Sequence, residues 1–323
     1  MAEGRDEALA SLLETYGGDV ARQRVIRTML ERVADVGPSV ADTDDLEVAA
    51  TALGELLDAA ELFGRFQDRP KLAVFGSART PEDSPLYAMA HQLAHEMAER
   101  GWITVSGAGP GIMEASAKGA GLANNLGVNI DLPFEQGSNP YIDVDSRLVA
   151  MKYFFTRKVA MTRPSNAFVI FPGGLGTMDE IFEVLTLLHT GKSTPAPVVL
   201  LDVPGGTFWE RWRAFLVEEV VAAQYVDADG IDLARAFHSV DEGVREIEHF
   251  YSNYQGFALD GERATIQMRR VPERARFNDF ARLFPLFAQG DGIVQTSQHS
   301  VEFNFDGRHF AQLRRLIDVI NTV

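Results

Sequence analysis

The sequence predicts an α/β fold: a doubly wound parallel sheet preceded by a helical segment and followed by a small α+β module. Three observations predict it. Five short runs rich in Val, Ile and Phe recur between residues 71 and 203, amphipathic stretches of helical spacing separate them, and glycine-rich turns follow several of the runs. Repeated strand then helix implies right-handed parallel crossovers, and in such sheets ligands bind at the carboxyl ends of the strands.

Residues 1–69 read as a helical N-terminal segment. Apolar positions fall at helical spacing in Val25, Met29 and Val33, and again in Leu53, Leu56, Leu57, Ala60, Leu62 and Phe63, with Gly37 and Pro38 between the two sets. The acidic run Asp42, Asp44, Asp45 suits a solvated helix N-terminus, where the dipole favours acids. An EF-hand loop starting there would need Gly at its sixth position and Glu at its twelfth, where Glu47 and Leu53 stand.

Residues 70–255 form the expected Rossmann-like domain, with strands over 71–76, 102–107, 127–132, 166–171 and 198–203. Ser84 before Pro85 is an N-cap with Pro at the first helical position, and Ser239 with Glu242 makes a capping box for a helix ending near Phe250. Residues 256–323 read as the α+β module: strands over 262–271, 292–297 and 301–305, the last two flanking a Gln298-His299-Ser300 turn, and helices near 276–288 and 308–321. This module carries no chemical motif, and we expect it to pack on a neighbouring domain or subunit.

Composition narrows the function. The chain has 323 residues, 30 Lys plus Arg against 46 Asp plus Glu, and a net charge of −16. A surface that acidic repels phosphate backbones and anionic lipid, so neither nucleic acid nor membrane is expected as a partner. Met1 to Asp6 carries acids where a signal peptide would carry basic residues, no apolar run approaches the length of a membrane span, and a cytoplasmic protein is expected. With no cysteine there is no disulfide framework, thiolate nucleophile or Cys-ligated zinc.

The strongest chemical signal is Pro172-Gly173-Gly174-Leu175-Gly176-Thr177-Met178-Asp179-Glu180, directly after the 166–171 strand and opening a helix that runs to about His189. Glycines let the backbone approach an anion, the helix start offers free N–H groups, and Thr177 adds a hydroxyl, which together describe a phosphate cradle. A second turn, Ser106-Gly107-Ala108-Gly109-Pro110-Gly111-Ile112, fails the dinucleotide fingerprint because Ile112 stands where its third glycine belongs. A third, Phe75-Gly76-Ser77-Ala78-Arg79, supplies a hydroxyl and a guanidinium. Three converging loops suit one mononucleotide better than an extended dinucleotide.

Other features read as structural. Gly191-Lys192-Ser193 follows a helix and lacks the upstream glycine of a Walker A loop, Thr186 standing there. His91 and His95 lie one helical turn apart with no third metal ligand in view, so no metal is expected. Arg157-Lys158, within Tyr153-Phe154-Phe155-Thr156-Arg157-Lys158-Val159-Ala160-Met161, is ambiguous on periodicity alone, since adjacent charges on a helix with an apolar face are often only solvated.

Taken together, 107–120, Arg157-Lys158 and Pro172 to Glu180 resemble the LONELY GUY (LOG) family of nucleoside 5′-monophosphate phosphoribohydrolases, often mislabelled as lysine decarboxylases. The resemblance covers roughly residues 70–225. The family's P-G-G-x-G-T-x-x-E signature is matched in full by Pro172 to Glu180, and its Arg-Lys pair by Arg157-Lys158. It implies Arg157 and Glu180 as the catalytic pair, with Ser77, Gly109, Asn139, Lys158, Gly173, Gly174, Leu175, Gly176, Thr177 and Thr186 binding substrate. The stretch Leu132-Pro133-Phe134-Glu135-Gln136 with Asn139-Pro140-Tyr141 looks like the longer bacterial branch, in which this loop borders the nucleotide. The sequence departs from the family at Ala108, where Gly is usual, and in the first loop, which reads Gly-Ser-Ala-Arg-Thr.

The implied reaction is hydrolysis of a purine-type nucleoside 5′-monophosphate to free base and ribose 5-phosphate without a cofactor, the base, cytokinin or other, being left open. The chemistry fits the residues independently: a carboxylate beside the anomeric carbon stabilises oxocarbenium charge and orients water, and an Arg binds ribose or phosphate oxygens. Asp179 points about 100° away from Glu180 and reads as a dipole-stabilising residue. The competing reading is a nucleotide-binding or molybdenum-cofactor carrier protein, which has no need for the Arg157 and Glu180 pair. Amino-acid decarboxylation fits poorly, because none of the five lysines clearly has the context of a pyridoxal site. Relatives of this fold pair through core helices, so a homodimer or higher homo-oligomer is expected.

Overall fold

A computed structural model describes residues 11–13, 18–36, 42–132, 137–272, 280, 282–290 and 292–322. Met1 to Asp6, Gly37, Pro38, the Pro133 to Gln136 stretch and residues 276–279 and 281 of the helix expected near 276–288 lie outside them, and the described end of that expected helix, 285–288, is a turn rather than helix. The chain divides into two compact units, Met1–Gly54 and Glu55–Val323.

In the first unit, α1 (Val20–Ala34) starts where the Asp19 carboxylate accepts the Arg22 N–H at 2.8 Å. None of its residues is buried, so the stripe of Val25 and Val33 faces outward. The acidic run opens α2 (Thr43–Gly64), with Asp42 accepting the Asp45 N–H at 2.9 Å as an N-cap should.

The second unit is built on seven parallel strands: β1 (Lys71–Phe75), β2 (Ile103–Ser106), β3 (Asn125–Ile130), β4 (Leu148–Met151), β5 (Ala167–Ile170), β6 (Val198–Leu201) and β7 (Ala234–Phe237). They lie in the order β4-β3-β2-β1-β5-β6-β7. The five predicted strands are the interior ones, while β4 and β7 form the edges. Edge strands bury one side only, and both are half-exposed; Arg235 interrupts β7, while β4 is a short apolar run, Leu148 to Met151, that sequence reading passed over.

Six helices cover the sheet: α3 (Pro85–Glu99), α4 (Ile112–Ala120), α5 (Phe154–Thr162), α6 (Leu175–His189), α7 (Phe208–Phe215) and α8 (Val240–Phe250). Alternation along β1 shows the two faces. Ala73 and Phe75 pack with Met161, Ile181, Val184 and Trp209, whereas Leu72 and Val74 pack with Leu93, Met97, Ile112 and Val244. The caps act as read. Ser84 accepts the Leu86 N–H at 3.3 Å, and Ser239 accepts the Glu242 N–H at 3.3 Å. No helix among the described residues is long and apolar enough to cross a membrane.

The chain winds outward from β1 to β4, then returns to place β5 beside β1 on the other side. That reversal puts the loops after β1 and β5 next to each other at the carboxyl edge, the usual place for a ligand crevice.

Beyond α8, β8 (Tyr254–Asp260), β9 (Arg263–Met268), β10 (Val294–Gln295) and β11 (Ser300–Asn304) form an antiparallel sheet in the order β10-β11-β9-β8, followed by α9 (Phe310–Ile320). The hairpin around Gln298-His299-Ser300 is present, while β8 escaped sequence reading because much of it is exposed. The apolar core here includes Phe250 of α8, and Ala311 of α9 reaches the sheet core. Ion pairs tie the same elements: the buried Arg314 of α9 to Glu246 of α8, and the partly exposed Arg235 of β7 to both Glu246 and Asp318.

Candidate active site

A cavity of about 570 Å³ opens at the carboxyl edge, where the loops after β1, β2, β3 and β5 meet α5 and the start of α6. Of the residues expected to bind or act, Ser77, Gly109, Arg157, Gly174, Leu175, Gly176, Thr177 and Glu180 line it.

The three glycine loops are fastened to one another by backbone. The Ser77 N–H donates to the Pro172 carbonyl at 3.3 Å, and the Ile112 N–H donates to the Ser77 carbonyl at 3.1 Å. Gly173 is required by packing, because a Cβ there would lie 2.1 Å from Thr177 Oγ1. Gly174 and Gly176 differ: a Cβ on either would meet no atom within 4 Å. Their open sides belong to the cavity, and α6 begins immediately after Gly174 with no side-chain cap on its N–H groups. An anion can take up both the space and the donors.

Glu180 lies 6% exposed on α6, and its Oε2 is buried with no hydrogen-bond partner among the described residues. Burial pushes its pKa above the ordinary glutamate value, against the opposing pull of Lys158 and Arg157. Arg157, on α5, is aimed by carbonyls of the neighbouring strands: its Nε donates to Val128 at 2.9 Å and its Nη2 approaches Gly107 O at 3.5 Å. Lys158 turns the other way. Its ammonium binds Asp179 at 2.9 Å and Glu183 at 3.2 Å. Burial works against that charge, but Asp179, Glu180 and Glu183 offset it and hold the pKa above the ordinary lysine value.

The remaining expected residues stand apart from the cavity wall. Lys158 and Gly173 are not among its lining residues, although Lys158 pairs with Asp179, which is. Asn139 is buried and grips the second glycine loop, its N–H donating to Ala108 O at 2.8 Å and its Nδ2 to Gly109 O at 3.1 Å. Thr186 is on the exposed side of α6. The wall also contains Met113, Asn129, Ile130, Phe154 and Asp179, which sequence reading did not assign to binding. The carboxyl end of β3 was the available signal for Asn129 and Ile130; nothing local marks Met113. Ala108 has φ of 60° and is fully buried, a left-handed conformation that explains why glycine suits this position.

A family model described as possible lysine decarboxylase matches residues 105–247. The cytokinin riboside 5'-monophosphate phosphoribohydrolase of Mycobacterium tuberculosis is 32% identical over 170 residues, spanning 52% of this chain and 88% of that protein. The chain belongs to the LOG family. Another LOG relative, cytokinin riboside 5'-monophosphate phosphoribohydrolase LOG2 of Arabidopsis thaliana, is 29% identical over 191 residues, 58% of this chain and 86% of that one. Among solved structures, the molybdenum cofactor carrier protein of Chlamydomonas reinhardtii aligns at 22% identity and a TM-score of 0.40, covering 56% of this chain and 96% of that chain. Within this LOG chain the family signature therefore falls on one cavity wall, with its glycines divided between packing and open space.

Proposed function

We propose that this LOG family member hydrolyses the N-glycosidic bond of a purine-type nucleoside 5′-monophosphate, releasing free base and ribose 5-phosphate. The observation that carries the reading is the buried Glu180 carboxylate with an unpartnered oxygen, on the wall of a cavity that also holds Arg157 and the open sides of Gly174 and Gly176. The names of the relatives support the same chemistry.

In this reading the phosphate sits on the uncapped start of α6, bound by the N–H groups after Gly174 and by Thr177, with Arg157 supplying positive charge nearby. As the C1′–N bond breaks, its electron pair leaves with the base and C1′ gains oxocarbenium character. Glu180 stabilises that charge and orients a water, which adds to C1′ and gives up its proton through Glu180 to the departing base, so that free base is released. Ser77, Gly109, Leu175 and Gly176 complete the wall. Asn139, Gly173 and Lys158 act by holding loops and helices in place, and Thr186 would touch substrate only at the margin. Lys158 is poorly suited to a Schiff base, because its ammonium is held charged by Asp179 and Glu183.

We further read the working particle as a cytoplasmic homodimer, with Phe154, Phe155 and Val159 of α5 giving an exposed apolar surface beside the site. Sedimentation showing a fully active monomer would remove that part. The reaction is tested by incubating the protein with nucleoside monophosphates and the matching nucleosides, with and without EDTA, and following base release. Cleavage of AMP but not adenosine, unchanged by EDTA, is expected. Equal rates on AMP and adenosine would overturn the phosphate cradle, and loss of activity on chelation, restored by one metal, would bring His91 and His95 back into consideration.

A further inference from the structure

A second cavity, of about 530 Å³, lies between β7, α7 and α9 and shares no lining residue with the first. Its charge runs against that of the molecule. In a protein of net charge −16, Arg213, Arg235, Arg314 and Arg315 line this one hollow, with Asp232 as the only acid among the lining residues.

The four arginines fall into two kinds. Arg235 and Arg314 are occupied by Glu246 and Asp318 behind the wall and join α9 to the sheet. Arg213 and Arg315, 48% and 50% exposed, share a single carboxylate: Arg213 binds one oxygen of Asp232 at 2.8 Å and Arg315 the other at 2.9 Å. Two cations on one anion leave an excess of positive charge, and the doubly gripped carboxylate reproduces the way two guanidiniums clasp a phosphate.

The wall also has unused donors. Arg314 Nη1 and Trp212 Nε1 are both buried and have no hydrogen-bond partner among the described residues, and Arg314 as a whole is only 3% exposed. The Phe250 ring, 4.7 Å from the Arg314 guanidinium, attracts its charge but supplies no oxygen to accept that N–H. Unpaired buried donors are costly, and two beside one cationic cavity leave its wall with more donors than its own acceptors satisfy.

We propose that this cavity is a second, non-catalytic anion site that takes a small phosphate-bearing molecule, clasped by Arg213 and Arg315 in place of Asp232, with Trp212 and Arg314 in the wall. Asp232 acts as an internal competitor that occupies the two arginines until the ligand displaces it. The site also has a route to the first cavity. The Trp212 ring lies 6.0 Å from that of Phe182 on α6, two residues beyond Glu180, so a ligand that shifts Trp212 presses on the helix carrying the carboxylate.

Two of the three tryptophans, Trp209 and Trp212, line this cavity and report on it directly. The full chain is titrated with inorganic phosphate and with pyrophosphate at constant ionic strength, against chloride, while tryptophan emission is followed and stoichiometry is measured by calorimetry. Arg157→Ala, which weakens the first cavity, should keep the emission change. Arg213→Ala with Arg315→Ala should lower the affinity seen by emission about tenfold or more. Among the described residues these two exposed arginines hold only Asp232, so the melting temperature should be preserved. Asp232→Asn should move the opposite way and tighten binding severalfold. The proposal is overturned if chloride gives the same change, if Asp232→Asn binds no tighter, or if the response vanishes in Arg157→Ala and persists without the two arginines. None of these outcomes depends on which reaction the first cavity performs.

Discussion

The guanidinium of Arg157 occupies the place where residue 107 would carry a side chain: a Cβ on Gly107 would lie 1.9 Å from Arg157 Nη2 and 2.8 Å from Met113 Sδ. Both obstructing atoms are ends of flexible side chains, so Gly107→Ala should fold and push Arg157 aside. The expected outcome is a loss of turnover of roughly tenfold or more from misplacement alone, with melting within a few degrees of the parent. Base release and thermal unfolding on one preparation check it. Normal turnover would mean that the position of Arg157 is not critical.

Glu180→Gln keeps the shape and removes the charge. Turnover should fall by roughly 10²-fold or more, while nucleotide binding measured by calorimetry survives on the glycine loop. Stability should move the other way. Burial raises the folded-state pKa, so the stabilisation linked to this group is present below its unfolded value and lost as pH rises through the raised folded one. At neutral pH the Gln variant should therefore melt no lower than the parent. Near-normal turnover would pass the role to Asp179.

The same burial sets the pH profile. If ionised Glu180 is the working form, the acid limb of kcat/KM lies above the ordinary value of 4.5. Lys158 opposes the shift and also neutralises Asp179 and Glu183, so Lys158→Met should move that limb to higher pH. A limb that stays in place, measured with a non-titrating substrate over the acid range, would detach Lys158 from the ionisation of Glu180.

Adjacent glycines should give opposite phenotypes. Gly173→Ala drives a methyl into Thr177 and should lower the melting temperature, at a cost of about 1–3 kcal/mol for overpacking. Gly174→Ala meets no protein atom, so it should leave the melt unchanged and weaken nucleotide binding by filling the cradle. Calorimetry with AMP beside thermal unfolding separates them, and unchanged affinity in Gly174→Ala would argue against phosphate at that spot.

We propose that residues 256–323 are a separate module in sequence whose last helix is nonetheless part of the domain's stability. Glu246→Gln removes the carboxylate shared by Arg314 and Arg235, and breaking a buried pair in this way costs roughly 3 kcal/mol or more. Denaturant unfolding should show it, as should a lower melting temperature after deletion of 256–323. Unchanged melting in both would make the module an independent appendage.

Arg157 and Lys158 show where sequence reading stops. Side by side in the sequence they look like one cationic pair, yet the helix separates them by about 100°, so one faces the cavity and the other the acids of α6. Adjacency announced the pair, and only the packing of α5 against α6 assigned the two charges to different tasks. Likewise the spacing of Gly173, Gly174 and Gly176 marked a cradle but could not tell the glycine that Thr177 excludes a side chain from, from the two that face empty space.

What the sequence determined by itself were the features written in consecutive residues: the interior strands, whose burial on both faces demands an apolar run, the caps Ser84 and Ser239, and the glycine turn that opens α6. The tertiary structure alone decided what depends on residues far apart. It buried Glu180 and left its Oε2 unpaired, placed Asn139 under the second glycine loop, and joined Arg314 to Glu246 across 68 residues. Backbone periodicity is local and leaves a trace in every short window, whereas burial, charge pairing and open space are properties of three-dimensional neighbours, which no window contains.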